Sequence, residues 1–263
     1  MLNWFTPERQ TWLFLVNPAL KFVVFFALLL ITLLNQSLSF AIWQAVFYGA
    51  LFYIFSGYSI KKLAVLSIPL AISFLSTGLT MLLFGKGEAV LWQWGLFKIS
   101  EESIQHALLL GSKSLSFGFV GFTFILTIQP VLFFYAMMQQ FRLPSKYAYS
   151  FIASFRLIPA VTEELQIRRN ALRVRNIRFS RGIKGIYERL QSFSVPLFAQ
   201  SIRRAQRIAV AMEAKQYQMG AARTYYYPTR YSRTDAIFLI VMTLGLTAAA
   251  LLALSSGTDA NYI

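Results

Sequence analysis

The sequence contains no cysteine, a single histidine and few charged side chains. Charged residues make up 13% of the 263 residues, and 57% are apolar, whereas ordinary soluble domains carry about 25% charged residues. The missing cysteines exclude disulfides, thiolate metal sites, iron–sulfur clusters and thiol catalysis. His106 cannot form a metal cluster by itself, so the sequence predicts no metal site and no cofactor. This composition argues against a soluble domain.

Charge is absent altogether from four long stretches, residues 22–60, 63–84, 114–141 and 236–258. About 20 helical residues cross the roughly 30 Å hydrocarbon core of a bilayer once. The first stretch is long enough to cross twice, and Asn35-Gln36-Ser37 near its middle favours a turn. The runs are continuously apolar, unlike the alternating strands of a membrane barrel. We therefore predict five transmembrane helices, at residues 20–34, 39–57, 63–84, 106–128 and 235–255.

The predicted fold class is thus an all-α, polytopic membrane protein. Three regions are expected: transmembrane helices 1–4 in residues 1–140, a cytoplasmic module in 141–233, and a C-terminal transmembrane helix in 234–263. Lys61 and Lys62 follow the second span, and cations favour cytoplasmic loops. We therefore expect a bacterial-type cell membrane protein with a cytoplasmic N-terminus and an external C-terminus.

Catalytic motifs are missing as well. The chain has no Gly-x-x-x-x-Gly-Lys-Ser/Thr phosphate loop and no paired acids within the predicted spans, so it is not expected to hydrolyse ATP or to act as an enzyme. Lys113 falls inside the fourth span, where a lysine either extends its charge to the interface or has a function. Gly118 and Gly121 on that span favour close helix packing.

Most of the positive charge lies in residues 141–233, which hold 18 of the 25 Lys and Arg residues and 4 of the 10 acids. Pro144 suits the first turn of a helix. Farther on, residues 162–176 predict a helix capped near Thr162, with an i,i+4 pair between Glu164 and Arg168.

A second long helix is predicted with Pro196 in its first turn, after a connector at 176–191. Its apolar stripe recurs at helical spacing and comprises Val195, Phe198, Ile202, Ala205, Ala209 and Met212. The stripe would hold the two long helices together or against the membrane body.

Two interpretations of the basic residues remain open. They contact anionic membrane lipids, as positive cytoplasmic loops do, or their helices dock into the groove of a partner protein. Nucleic acid is not expected, because no aromatic stacking array or zinc spacing accompanies the charge.

An ordered series of motifs resembles one family, the transmembrane (T) component of energy-coupling factor (ECF) transporters, the cobalt- and vitamin-uptake branch of ABC importers. The series covers nearly the whole chain. It comprises Asn17-Pro18-Ala19-Leu20-Lys21, Arg142-Leu143-Pro144, Phe155-Arg156-Leu157-Ile158-Pro159, Glu163-Glu164, Val195-Pro196-Leu197-Phe198, Arg203-Arg204-Ala205-Gln206-Arg207 and Ala211-Met212-Glu213-Ala214.

The resemblance implies a non-catalytic scaffold. In that family two long cytoplasmic coupling helices each end near an Ala-Arg-Gly tripeptide that docks into one of two ATPase subunits, and their motion passes to a small membrane substrate-binding (S) component for vitamin or metal uptake. The tripeptides fall here on Val174, Arg175 and Asn176, and on Ala214, Lys215 and Gln216. Supporting residues on the coupling helices would be Arg168, Arg169, Arg173, Arg203, Arg204, Arg207 and Glu213.

Both tripeptides depart from the family pattern. Arg175 keeps a planar fork that can pair with a carboxylate through two hydrogen bonds, whereas Lys215 offers a point charge. Both glycines are replaced, and Asn176 tolerates a positive φ better than Gln216 does. These differences suggest non-identical ATPase halves.

Three alternative functions are distinguishable from this scaffold. A conventional ABC permease would bind substrate itself and present one coupling loop with a Glu-Ala-Ala type motif. An integral membrane enzyme would need a cluster of acids or histidines at a membrane face. A channel or self-sufficient carrier would transport without partners.

Overall fold

The computed structural model describes residues 7–85, 90–94, 97–177, 179–217 and 225–256. Within them a 3-10 helix (Trp12–Leu15) and a two-stranded antiparallel hairpin, β1 and β2, accompany eight α-helices. The strands are Val90–Trp94 and Phe97–Ser100. The helices are α1 (Pro18–Leu34), α2 (Leu38–Phe55), α3 (Ile60–Phe84), α4 (Glu101–Thr127), α5 (Pro130–Gln140), α6 (Ser145–Val174), α7 (Ile183–Ala214) and α8 (Arg233–Ser255).

The predicted all-α, polytopic membrane class is confirmed. Four helices, α2, α3, α4 and α8, are long and apolar enough to cross a membrane, and α1 is a shorter apolar helix of 17 residues. Each lies where a span was predicted. Many outward side chains of these helices are large and apolar, among them Ile72 of α3 and Leu244 of α8. Such a surface is stable in contact with lipid chains rather than with water.

The chain divides into two compact units. Unit 1 comprises the described residues of Met1–Gln129 and Thr229–Ile263, and unit 2 is Pro130–Pro228. Unit 1 therefore contains all five apolar helices, and unit 2 contains α5, α6 and α7. The predicted functional boundaries at 140/141 and 233/234 stay predictions.

Local capping explains where the helices of unit 1 begin. The Asn17 side chain accepts a hydrogen bond from the Ala19 amide, and Pro18 occupies the first helical position of α1. The Ser37 hydroxyl accepts from the Phe40 amide and starts α2 after the predicted polar turn. Ser100 and Ser103 form a capping box at the start of α4. Short polar signals thus separate long apolar helices.

The core of unit 1 joins α1, α2, α4 and α8. Its largest buried members pack around aromatic rings and comprise Leu13, Val16, Phe25, Leu28, Tyr48, Leu51, Val120, Phe238 and Met242. Small residues permit the close approaches. A Cβ atom at Gly118 would collide with the Leu70 side chain of α3, and one at Gly245 with the Phe47 ring of α2. Gly121 has no such neighbour within 4 Å, so its predicted packing role is wrong.

The helices of unit 2 are longer than the sequence predicted. α6 is continuous through Thr162, whose hydroxyl donates to the Pro159 carbonyl instead of capping a new helix. α7 begins at Ile183 with Pro196 in its interior, so the predicted first-turn position of Pro196 and the long connector were wrong. Proline lacks an amide hydrogen and normally disturbs a helix, which is why Pro196 resembled a helix start.

Candidate functional site

The first predicted tripeptide forms the end of α6. Val174 is the last helical residue, Arg175 is the C-cap, and Asn176 has a left-handed φ of 51°. The Asn176 amide donates to the Arg173 carbonyl (3.0 Å), and the Ile177 amide donates to the Leu172 carbonyl (3.2 Å). This pair of bonds defines a Schellman motif, which satisfies carbonyls that a helix end otherwise leaves open.

The second tripeptide forms the same structure at the end of α7. Lys215 is the C-cap, and Gln216 has a φ of 52°. The Gln216 amide donates to the Glu213 carbonyl (2.8 Å), and the Tyr217 amide donates to the Met212 carbonyl (2.9 Å). Glutamine therefore adopts the left-handed conformation that glycine reaches without a Cβ penalty. The two helix ends are equivalent in backbone although none of their three residue pairs is identical.

Charge and exposure are also shared between the two ends. Arg175 and Lys215 are exposed cations beyond the last helical residue, where the negative end of a helix dipole favours positive charge. Val174 beside Arg175 is 88% exposed. Each end thus presents a cation on an ordered backbone turn, with no described acidic residue paired to it.

Two hydrogen bonds and one shared cavity establish that α6 and α7 run antiparallel within unit 2. Arg168 Nε donates to the Ser192 carbonyl at 2.6 Å. Closer to the start of α6, Arg156 lines the same cavity as Arg204 of α7. The Tyr217 hydroxyl, just beyond α7, donates to the Ser145 hydroxyl at the start of α6 (3.3 Å).

The two tripeptides consequently lie at opposite ends of the helix pair. Tyr217 contacts the first residue of α6, and Arg175 follows its last. Thirty residues at 1.5 Å each separate these points by about 45 Å along the helix. The structure does not bring the two motifs together, and each is available to a different partner.

The predicted supporting residues divide into those with a side-chain hydrogen bond and those without one among the described residues. Arg168 links the helices as described, and Arg203 donates two hydrogen bonds to Gln200 within α7. The predicted pair between Glu164 and Arg168 is wrong, because the guanidinium of Arg168 bonds Ser192 instead. Arg204 is half-buried. The remaining predicted residues, exposed on α6 or α7, are Arg169, Arg173, Arg207 and Glu213.

The apolar stripe of α7 is mostly exposed. Phe198 is 69% exposed, and Val195 and Ile202 are each 59% exposed. Met212 alone among the predicted stripe residues lines the cavity that α7 shares with α6. The stripe therefore does not hold the two long helices together, as one prediction had it. An apolar face of this size on a basic helix indicates a further binding surface.

A tyrosine cluster supports the second tripeptide and had no sequence signal. Tyr149 of α6 contacts Tyr217 edge to face, with ring centroids 5.8 Å apart. Tyr135 of α5 contacts both Tyr149 and Tyr227. These rings fix the chain immediately after Gln216 to α5 and α6. These tyrosines are far apart in the sequence and follow no regular spacing, so no periodic pattern predicts the cluster.

A hydrogen-bonded acid, Glu188 of α7, contacts Ser180 in the segment before that helix. Both the amide and the hydroxyl of Ser180 donate to Glu188 Oε2. These hydrogen bonds stabilise the carboxylate and lower the pKa of Glu188 below its ordinary value. Gly182, at a φ of 80°, forms the N-cap of α7. These contacts fix Ser180 and Gly182 at the start of α7.

The entry motif at Asn17 to Lys21 has a structural role in unit 1. Lys21 is 1% exposed, and its ammonium donates to the carbonyls of Leu13 and Thr127. The Asn17 amide donates to Asp235 Oδ1 at 2.7 Å. One buried polar cluster thus joins the start of α1, the end of α4 and the start of α8. Among the described residues, no group of three or more potential metal ligands occurs.

Comparison with known proteins gives a family match over most of the chain. The model of a family described as CbiQ, cobalt transport protein, matches residues 9–226. That match includes the entry motif, α6, α7 and both tripeptides.

Several curated proteins named energy-coupling factor transporter transmembrane protein EcfT are similar to this chain. The protein from Limosilactobacillus fermentum is 29% identical over 180 residues, covering 64% of this chain and 67% of that protein. The protein from Lacticaseibacillus paracasei is 27% identical over 240 residues, covering 86% and 88%. The protein from Brevibacillus brevis is 27% identical over 247 residues, covering 89% and 91%.

Proposed function

We propose that this chain, which belongs to the CbiQ family of cobalt transport proteins, is the energy-coupling membrane subunit of an ECF-type ABC importer. The resemblance to the T component stated from the sequence is confirmed by the family match and the EcfT relatives. In this role the chain transmits motion from two cytoplasmic ATPase subunits to a separate membrane S component. It performs no catalysis itself.

The equivalent ends of α6 and α7 carry this proposal. Each places an exposed cation, Arg175 or Lys215, on a Schellman turn. The two ends are about 45 Å apart along α6, a spacing that suits two ATPase subunits, one at each end. A cation on a preorganised turn gives both attraction to an acidic groove and a fixed direction of approach.

Rigid transmission requires that the two ends move with the helices that carry them. Arg168 clamps α6 to α7 through Ser192, and Tyr217 anchors the second end to Ser145. A displacement imposed at either tripeptide is therefore passed along a continuous helix of 30 or 32 residues. The exposed apolar stripe of α7 is the surface that we assign to the S component.

A cytoplasmic N-terminus fits the contacts inside unit 1. The segment before α1 bonds to the turn between α2 and α3, where the amides of Glu8 and Arg9 donate to the Gly57 carbonyl. Lys62 pairs with Glu8 at 3.2 Å. Lys21 and Asn17 reach the end of α4 and the start of α8. These chain segments share one side of unit 1, and that side carries the cations expected in the cytoplasm.

The transported substrate follows from the family only as a class. Cobalt transport is the description of the matched family, and uptake of a metal ion or a vitamin is the proposed activity. In this proposed role the substrate would bind the separate S component.

Separate substitution of the two cations tests the assignment. Arg175→Ala and Lys215→Ala should each reduce the amount of ATP-binding-cassette subunit that co-purifies with the tagged chain. The loss should be greater for Arg175→Ala, because a guanidinium can form two hydrogen bonds to a carboxylate and an ammonium presents a point charge. As a measure of the expected effect, truncating one partner of a buried charge pair at an interface weakens binding by about 2–5 kcal/mol.

Arg181→Ala is the matched control, since Arg181 is an exposed arginine just before α7 and lies outside both tripeptides. It should retain near-normal recovery of the ATPases. Unchanged recovery after both tripeptide substitutions would contradict the docking role. Equal losses would contradict the asymmetry between the two ends.

A further inference from the structure

A groove on the surface of unit 1 is not used by the proposed coupling function. It has a volume of about 550 Å³ and is formed by α3 and α4 beside the end of α1. Its lining includes Leu70, Ser73 and Thr77 of α3, with Lys113, Ser114 and Phe117 of α4. All three helices belong to the membrane-spanning set, so the natural occupant of this groove is a membrane component.

The lining changes from polar to apolar along the groove. α3 runs toward the β-hairpin and α4 returns from it, so Thr77 and Lys113 lie nearer the hairpin than Leu70 and Phe117 do. Lys113 is on a level with Leu33, in the last turn of α1, because its Nζ donates to the Leu33 carbonyl at 3.3 Å. The polar end of the groove therefore adjoins the turn between α1 and α2, and the apolar end points toward the middle of the membrane.

The polar end retains unused hydrogen-bond donors. An ammonium group has three donors, and the Leu33 carbonyl is the acceptor that Lys113 has among the described residues. Ser73 and Ser114 share one hydrogen bond of 2.7 Å between their hydroxyls, which leaves one hydroxyl hydrogen available. A cation in a membrane without an anionic partner is costly. This end of the groove is thus built to receive an anion.

We propose that the groove binds one anionic phospholipid from the leaflet at the α1–α2 turn. Its phosphate would accept hydrogen bonds from Lys113 and from the Ser73–Ser114 pair, and an acyl chain would lie along Leu70 and Phe117. A carboxylate of a partner protein would match the cation but would leave the apolar half of the groove unfilled. The proposal rests on the membrane placement of α3 and α4.

Retention of lipid by the full-length chain tests this site. The chain is reconstituted in phosphatidylcholine nanodiscs with added phosphatidylglycerol, released into mild detergent, and examined by native mass spectrometry. Wild type should retain one phosphatidylglycerol in preference to phosphatidylcholine. Lys113→Gln should weaken that retention about fivefold, the effect of one cation near a membrane surface.

Two lysine variants serve as controls. Lys113→Arg keeps the charge and should retain the lipid, and Lys61→Gln removes an exposed lysine at the opposite end of α3 and should behave as wild type. Equal retention by Lys113→Gln and wild type would overturn the proposal, as would equal retention of the two lipids.

A photoreactive amino acid in place of Thr77 gives an independent measurement in native membranes. Cross-linking to a phospholipid supports the site, whereas cross-linking to a protein overturns it. Neither measurement depends on ATPase binding, so this inference and the coupling function can fail separately.

Discussion

One residue in each tripeptide has a left-handed backbone conformation, which costs conformational free energy. Asn176 and Gln216 both have φ near 50°, a region that costs most non-glycine residues about 1–2 kcal/mol. Asparagine lowers this cost through local hydrogen bonding, whereas glutamine does not. The α7 end therefore holds its turn at a higher conformational cost than the α6 end, and the Tyr217 contacts offset part of that cost.

Gln216→Gly should stabilise the end of α7 by about 1 kcal/mol, because glycine removes the Cβ penalty. Hydrogen exchange of the Tyr217 amide, which donates to the Met212 carbonyl, should slow about fivefold. Asn176→Gly should change the exchange of the Ile177 amide only slightly. Faster exchange in Gln216→Gly would show that the glutamine side chain itself stabilises the turn.

The buried Lys21 ammonium is the second residue with a large energetic role. Lys21→Met should destabilise the chain by about 1–3 kcal/mol, because the carbonyls of Leu13 and Thr127 lose their buried donor. Thermal unfolding in detergent measures the change, with the exposed Lys61→Met as the control. An unfolding temperature equal to that of wild type would mean that water replaces the ammonium in this cluster.

Among the elements, α3 and α4 depend on one glycine for their contact. Gly118→Ala should destabilise unit 1 by about 1–3 kcal/mol, since its Cβ would collide with Leu70. Gly121→Ala, one helical turn away, has open space and should be neutral or stabilise by up to about 1 kcal/mol through helix propensity. The two variants should therefore shift the unfolding temperature in opposite directions or by clearly different amounts. Equal destabilisation would contradict the close approach of Gly118 to Leu70.

Elements defined by long apolar runs were predictable, and those shaped by tertiary contacts were not. The four helices long enough to cross a membrane, and the shorter apolar helix α1, follow from long stretches without charge. Pro196 suggested a helix start, yet it lies inside α7. A proline inside a helix is costly but occurs, so its presence alone does not mark a helix start. The sequence of α5 continues the apolar run of α4 without a charged residue between them, so α5 was not predicted as a separate helix.

The candidate site likewise has one part that the sequence predicted and another that depends on tertiary contacts. The positions of Arg175 and Lys215 at helix ends were predictable, because family motifs and helix-end chemistry coincide there. The antiparallel contact of α6 with α7 was not, since it depends on Ser192, Ser145 and a tyrosine cluster that have no local signature. Sequence thus located the tripeptides, and only the structure placed them at opposite ends of one helix pair.

At the scale of the whole molecule, the chain combines a membrane unit with a basic helical unit. The membrane unit is joined by a buried polar cluster, and the helical unit presents two equivalent cationic ends and an exposed apolar stripe. Neither unit contains a metal-ligand cluster among its described residues. The proposed coupling function assigns the cationic ends and the apolar stripe to contacts with other proteins.

The most direct test of the coupling function is affinity purification of the tagged chain from native membranes in mild detergent, with identification of the proteins that accompany it. One or two ATP-binding-cassette subunits should accompany the chain together with a small hydrophobic membrane protein, and a ligand bound to that protein would identify the substrate. Recovery of the chain alone, under conditions that preserve other ABC complexes, would contradict the coupling function.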